Sequence, residues 1–265
     1  MNYVGFPGLG LSFNINPVAF TLFGKDIYWY GIIIGCGLLL AAAFCSYLAS
    51  KDGLPNDTVT DIVLIGTPVG IVCARLYFVI FDFASYKDNL LSVFAIWEGG
   101  LAIYGGIIGA VLTAYLYCRH KKLSVLKVFD ICVLGLLIGQ LIGRWGNFVN
   151  AEAYGCETTL PWRMQLMSDE AGKMVCVHPT FLYESLWNLA GLIMLMIYRK
   201  HKKFDGEIFL MYIMWYGLGR SWIEWLRVDS LPYSGGFKIS QIVAVVSAAA
   251  AFVLILINRK RRKQA

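Results

Sequence analysis

Arg75, Arg144 and Arg220 each fall inside a long apolar run, and no lysine lies in the interior of one. A charge held in hydrocarbon costs at least about 2.5 kcal/mol on insertion scales, so each of these residues calls for a partner or a ligand. Arginine keeps its charge in a low dielectric and presents a planar fork that matches phosphate or carboxylate, so a set made only of arginines points to an anionic ligand. Around Arg144 the chain reads Gly143-Arg144-Trp145-Gly146-Asn147-Phe148-Val149-Asn150-Ala151-Glu152-Ala153-Tyr154-Gly155. Asn147 and Asn150 supply amide donors for phosphate or glycerol oxygens, and Glu152 supplies a carboxylate. Arg220 and Glu224 are four apart, which puts them on one helical face. Glu152 and Glu224 either orient the arginines or make structural ion pairs. Such a constellation suits a phosphate-bearing lipid head group: arginines position the phosphate and stabilise its charge as it leaves. For a single arginine, snorkelling to the interface is the competing reading.

The elements that must position these groups are membrane helices. Of 265 residues, 58% are hydrophobic and 15% charged, well below the roughly 25% charged residues of soluble domains. Runs long enough to cross about 30 Å of hydrocarbon occur at 28–49, 59–81, 101–118, 127–149, 180–198, 206–226 and 239–257. The expected fold class is an all-α polytopic membrane protein with seven transmembrane helices. Its single domain, 1–265, comprises an outer amino-terminal arm (1–27), a seven-span bundle (28–257) with an outer loop (151–179), and a basic tail (258–265).

Charge orients the bundle. One alternating set of connections carries Lys51; Arg119, Lys121, Lys122 and Lys127; Arg199, Lys200, Lys202 and Lys203; and the tail 259–263. The other carries only Lys25, Lys87, Arg163, Lys173, Arg227 and Lys238. The basic-rich set belongs in the cytoplasm, with the amino terminus outside. Arg75, Arg144 and Arg220 then lie late in outward-running spans, while Tyr30, Tyr104, Tyr183 and Glu184 lie in the first turns of inward-running ones. All seven positions are expected in the outer half of the membrane.

The pairs Gly66/Gly70, Gly105/Gly109 and Gly139/Gly143 have the small-xxx-small spacing of close helix packing. Gly99-Gly100 and Gly105-Gly106, which flank Tyr104, would equally let backbone approach a ligand. The first 23 residues contain no lysine or arginine, so no cleavable signal peptide is expected. The broken apolar arm is expected on the outer membrane surface. The seven cysteines have neither CxxC nor metal-like spacing. Cys156 and Cys176, both in the outer loop, are expected to pair as a disulfide. No clustered acidic and histidine set suggests a metal, no cofactor is implied, and the dispersed basic clusters do not read as a nucleic-acid surface.

The segment GRWGNFVNAEAYG resembles the signature of the bacterial prolipoprotein diacylglyceryl transferases. So do Tyr28-Trp29-Tyr30-Gly31, Trp97-Glu98-Gly99-Gly100, His178-Pro179-Thr180 with Leu182-Tyr183-Glu184, and Gly219-Arg220 through Ile223-Glu224-Trp225-Leu226-Arg227, in the same order along nearly the whole chain. The resemblance implies an enzyme of the bacterial cytoplasmic membrane. It would move a diacylglyceryl group from phosphatidylglycerol to the lipobox cysteine thiol of a prolipoprotein signal peptide, releasing glycerol phosphate. By the same resemblance Arg144 would bind the head group, Arg220 would act on phosphate and gating, and Tyr30, Asn147, Glu152 and Gly155 would be functional positions.

One departure matters. Many family members carry a histidine before the Gly-Gly of the third span, as the base that takes the thiol proton, whereas this chain has Tyr104. A phenol is a poor base unless neighbouring cations acidify it. Either Tyr104 acts as an arginine-activated phenolate, or it positions substrate and the proton leaves by another route. His178 is either a substitute base or a cap on the fifth span. The rival class, a transporter for an anionic solute, would carry polar residues through the inner half of the bundle and an internal repeat. Neither is visible, and a purely structural scaffold would leave the buried arginines without purpose.

Overall fold

The computed structural model describes residues 1–87, 89–96, 99–168, 172–227 and 239–264. Trp97, Glu98 and Lys238, read above as motif or orienting residues, lie outside them. Among the described residues, seven long helices occupy the apolar runs: α1 (Trp29–Lys51), α2 (Thr58–Phe81), α3 (Ile103–His120), α4 (Val125–Asn150), α5 (Thr180–Tyr198), α6 (Glu207–Leu226) and α7 (Ile239–Gln264). Five of the seven, α1, α2, α4, α7 and α5 with its following turn (Thr180–His201), are long and apolar enough to cross a membrane. The other two are diluted: α3 has 18 residues and ends in Arg119-His120, while α6 carries Arg220, Glu224 and several tyrosines and tryptophans.

The expectation of an all-α chain is corrected by six strands. β1 (Asn2–Phe6), β2 (Leu11–Ile15), β5 (Met164–Ser168) and β6 (Lys173–Val177) form one antiparallel sheet in the order β2-β1-β5-β6. β3 (Val18–Leu22) and β4 (Lys25–Tyr28) make a separate hairpin. Much of the amino-terminal arm is therefore ordered as strands. Val4 pairs with Leu166 and Gly5 with Gln165, so alternate apolar residues of both strands share one face. Val4, Phe6, Met164, Leu166, Val175 and Val177 bury that face against Phe181 of α5. Phe148 of α4 stacks at 6.4 Å on Phe6 and lies 4.8 Å from Phe181, and the Asn2 amide donates to the Val149 carbonyl (3.0 Å). The sheet is thus fastened to the end of α4 that carries the signature.

The chain divides into two compact units, Met1–Ala41 with Asp130–Ala265, and Ala42–Phe129. In the second, α2 and α3 cross closely: a Cβ on Gly105 would come 2.3 Å from the Cys73 carbonyl oxygen, and one on Gly109 would come 2.9 Å from Cys73 Cβ. The expected small-residue packing is real there, whereas Gly139 faces open space.

In the first unit, α5 and α6 are pinned by two stacked tryptophans 4.3 Å apart. The Trp187 indole donates to the Trp215 carbonyl (3.1 Å) and the Trp215 indole to the Trp187 carbonyl (3.0 Å). Each ring covers a glycine of the facing helix, Gly219 and Gly191, where a Cβ would clash at 2.2 and 2.4 Å. At the opposite ends of these helices, buried Asp130 accepts from the Gly206 and Phe209 amides, both at 2.9 Å. Buried Glu207 holds Tyr198 (3.0 Å) and Arg259 of α7 (2.8 Å) there.

Candidate functional site

The last turns of α4 carry Arg144, Asn147 and Asn150. The Arg144 guanidinium donates to Asn147 Oδ1 (3.3 Å), as the i,i+3 spacing allows. Beyond Asn150 the chain reverses through Ala151 and Ala153, both left-handed at φ 54° and 56°. Such a conformation costs an alanine about 1–2 kcal/mol, and here it folds Glu152 back over the helix end. The Glu152 amide reaches the Asn147 carbonyl (3.0 Å), and Glu152 Oε1 accepts from the side-chain amides of Asn147 (2.9 Å) and Asn150 (3.3 Å). The four polar residues of the signature form one chain of bonds ending on Arg144.

The partner of Arg144 is Glu184, in the first turns of α5. This carboxylate is buried (6% exposed) and meets Arg144 at 2.5 Å. It also faces Arg220 Nη1 at 3.8 Å and Arg227 Nη1 at 3.7 Å. Arg220 pairs in turn with Glu224 one turn along α6, as the spacing predicted, and Glu224 accepts from Ser240 of α7 (2.9 Å). Three guanidinium groups thus gather on two buried carboxylates, leaving an excess of positive charge among these five groups. A buried ion pair survives only when its geometry and remaining hydrogen bonds are good.

Two glycines explain why the signature needs them. A Cβ on Gly146 would lie 2.6 Å from the Tyr30 ring, so Tyr30, in the first turn of α1, seats directly on the α4 backbone between Arg144 and Asn147. Gly155 has no room either: its Cβ would come 2.7 Å from His178 Cβ and 3.1 Å from the Leu226 carbonyl oxygen. Its amide donates to the His178 carbonyl (3.0 Å), and it bridges antiparallel to Arg227. Gly155 thereby carries Arg227 to the cluster.

Arg75 and Tyr104 belong to the other unit. Arg75 is 5% exposed, and every guanidinium hydrogen is used on backbone. Nε donates to Val93 O (2.8 Å), Nη1 to Gly99 O (2.6 Å) and Gly100 O (3.1 Å), and Nη2 to Ser92 O (2.7 Å) and Ala95 O (3.4 Å). Gly99 and Gly100 have φ of 90° and 71°, and a Cβ on Gly100 would stand 2.5 Å from Nη1. These glycines let backbone approach an arginine. Tyr104 is exposed at the start of α3, its ring 6.4 Å from Tyr77.

The expected disulfide is absent: Cys156 and Cys176 are both free thiols. Glu157 pairs across with Val177, which makes Cys156 and Cys176 diagonal neighbours. Diagonal positions sit too far apart for the short Cβ–Cβ approach of a disulfide.

Glu184 and Arg227 were not assigned site roles from sequence. Glu184 carried a usable signal, since a carboxylate inside Thr180-Phe181-Leu182-Tyr183-Glu184-Ser185-Leu186-Trp187 needs a cation as much as a buried arginine needs an anion. Arg227 follows the last apolar residue of its run and so looked like an orienting loop charge.

Helices of membrane-spanning character, with an arginine–carboxylate cluster at the ends of three of them, define a membrane protein. The family model for prolipoprotein diacylglyceryl transferase matches residues 17–257, and the chain belongs to that family. It is 42% identical over 249 residues to the phosphatidylglycerol--prolipoprotein diacylglyceryl transferase of Clostridioides difficile, covering 94% of this chain and 98% of that one. It is 43% identical over 265 residues to the protein of the same name from Lysinibacillus sphaericus, covering 96% of each. To that of Enterococcus faecalis it is 43% identical over 254 residues, covering 93% and 91%.

Proposed function

We propose that this chain transfers the diacylglyceryl group of phosphatidylglycerol to the lipobox cysteine thiol of prolipoprotein signal peptides, the first step of bacterial lipoprotein maturation. The observation that carries this reading is the gathering of Arg144, Arg220 and Arg227 on buried Glu184. The thiolate sulfur attacks the glycerol carbon that bears the phosphate, a C–S bond forms, and the C–O bond breaks with its electron pair going to the phosphate oxygen. The phosphate passes from a singly charged diester toward a doubly charged monoester. Arginines beside it gain more interaction in the transition state than in the ground state, which is the condition for raising kcat.

In this reading Arg144 and Arg220 grip the phosphate, and Asn147, Asn150 and Tyr30 bind head-group oxygens. Glu152 and Glu224 hold the amides and Arg220 in place, and Gly155 positions Arg227. Arg75 supports the 92–100 segment and Tyr104 positions substrate. No cofactor takes part. The chain sits in the bacterial cytoplasmic membrane with seven spans, its amino terminus outside and its basic tail in the cytoplasm. Supporting that orientation, the arginine–carboxylate cluster lies at the ends of α4–α6 opposite those that carry Lys202, Lys203 and Arg259.

The test is transfer of a labelled diacylglyceryl group from phosphatidylglycerol to a lipobox peptide by the purified protein. The expected products are a thioether-linked peptide and glycerol phosphate. A folded protein that transfers nothing would refute the reading.

A further inference from the structure

The carboxylates of the site are engaged, Glu184 and Glu224 by guanidinium groups and Glu152 by two amides, and a second cluster of titratable groups includes Tyr183, next to Glu184 in the chain. The Trp162 indole donates to the Tyr183 hydroxyl oxygen (2.8 Å), and that oxygen is 3.2 Å from His178 Nδ1. Indole N–H is a donor only. In the tautomer that carries its hydrogen on Nε2, the imidazole accepts the phenolic hydrogen at Nδ1 while the phenolic oxygen accepts from Trp162. The sequence reading of His178 as a helix cap does not hold: the residue at the N-cap of α5 is Pro179, with no side-chain cap.

The imidazole is firmly held. The His178 amide donates to the Cys156 carbonyl (3.0 Å), and its carbonyl accepts from Gly155 (3.0 Å) and Thr180 (2.9 Å). The same segment, through Gly155, fixes Arg227 against Glu184. The titratable groups facing His178 are Tyr183 on α5 and Cys156 on the segment paired with it, followed by Glu157. Arg227 joins that segment through backbone. Burial pushes the His178 pKa below its ordinary value, so the neutral ring, able to accept a proton, is the form present at pH 7. Tyr183 in turn faces Trp222 of α6, two residues past Arg220, with ring centroids 6.2 Å apart.

We propose that Tyr183 and His178 form the relay that takes the proton from the lipobox thiol, His178 supplying the base that a phenol alone does not; this rests on the transferase reading above. The thiol proton passes to the Tyr183 oxygen as the Tyr183 proton passes to His178 Nδ1. The sulfur electron pair forms the C–S bond, and the C–O pair leaves on glycerol phosphate. The Nδ1 proton of the imidazolium returns through the Tyr183 oxygen to water or to the departing phosphate, restoring the neutral relay with its hydrogen on Nε2. Trp162 orients the phenol and carries no proton.

Transfer by full-length wild-type protein, His178→Asn and Tyr183→Phe is measured from pH 5.5 to 9, with a cysteine and with a selenocysteine lipobox peptide. Asn keeps an acceptor near the Nδ1 position but cannot take the proton. Both variants are expected to lose about 100-fold at pH 7, the usual scale of general-base assistance, while keeping the wild-type Tm. They are expected to regain rate toward the thiol's own pKa near 8.5, and to come within a few-fold of wild type with selenocysteine, whose selenol ionises at neutral pH without help. Wild-type rate at pH 7 in both variants, or a loss that neither alkaline pH nor selenocysteine repairs, overturns the relay. Wild-type protein that transfers nothing to either peptide overturns the transferase reading instead.

Discussion

Arg75 and Arg144 are the same residue in the same kind of place, late in a helix of membrane-spanning character, yet their surroundings are opposite. Arg75 spends all five N–H groups on the carbonyls of residues 92–100 and rests 5.0 Å from the Tyr86 ring. Arg144 bonds a carboxylate and an amide oxygen, with two further guanidinium groups on the same carboxylate. A guanidinium saturated by neutral carbonyls supports a loop. One sharing a carboxylate with other cations is ready to trade that partner for an incoming anion. Burial alone therefore does not distinguish the two arginines; the chemistry of their acceptors does.

The largest effect that would break or sharpen this contrast is expected at Arg144. Arg144→Ala should lower transfer by roughly 10³-fold, the scale of losing a pre-arranged donor to a developing oxyanion, and Arg144→Lys should rescue little because the bidentate fork is gone. A transfer assay on protein shown to be folded measures both. Next is Glu184→Gln, which leaves three guanidinium groups without their shared charge. A loss of about 3 kcal/mol is expected, the scale of breaking a buried pair, read as a fall in Tm.

Arg75→Lys should behave in the opposite sense. Three ammonium hydrogens cannot serve five carbonyls, so stability should fall by about 2 kcal/mol while turnover per folded molecule stays near wild type. If Arg75→Lys abolished turnover with Tm unchanged, the contrast would fail. Smallest is Tyr104→Phe, expected to slow transfer by less than about 10-fold, below the range of general-base loss. A loss matching that of Arg144→Ala would return proton transfer to Tyr104.

The seven helices were legible because each is a continuous apolar run, and their ends lie within two residues of the expected ones except at α7, which continues through the basic tail to Gln264. The sheet was not, since β1 and β5 pair across some 160 positions of sequence and each strand offers only two or three alternating apolar residues. The signature was legible as a constellation, and Arg220 with Glu224 as an i,i+4 pair. Glu184 as the common partner was hidden, because nothing local links the first turns of α5 to the last turn of α4. The difference between Arg75 and Arg144 was also out of reach: backbone carbonyls are present at every residue, and only the fold decides which of them face an arginine.

The most direct test of the central claim is a structure with phosphatidylglycerol bound. Phosphate oxygens are expected within about 3 Å of Arg144 and of Arg220 or Arg227, with Arg75 still bonded to its five carbonyls. Phosphate held by Arg75, with Arg144 and Glu184 still closed on each other, would contradict it.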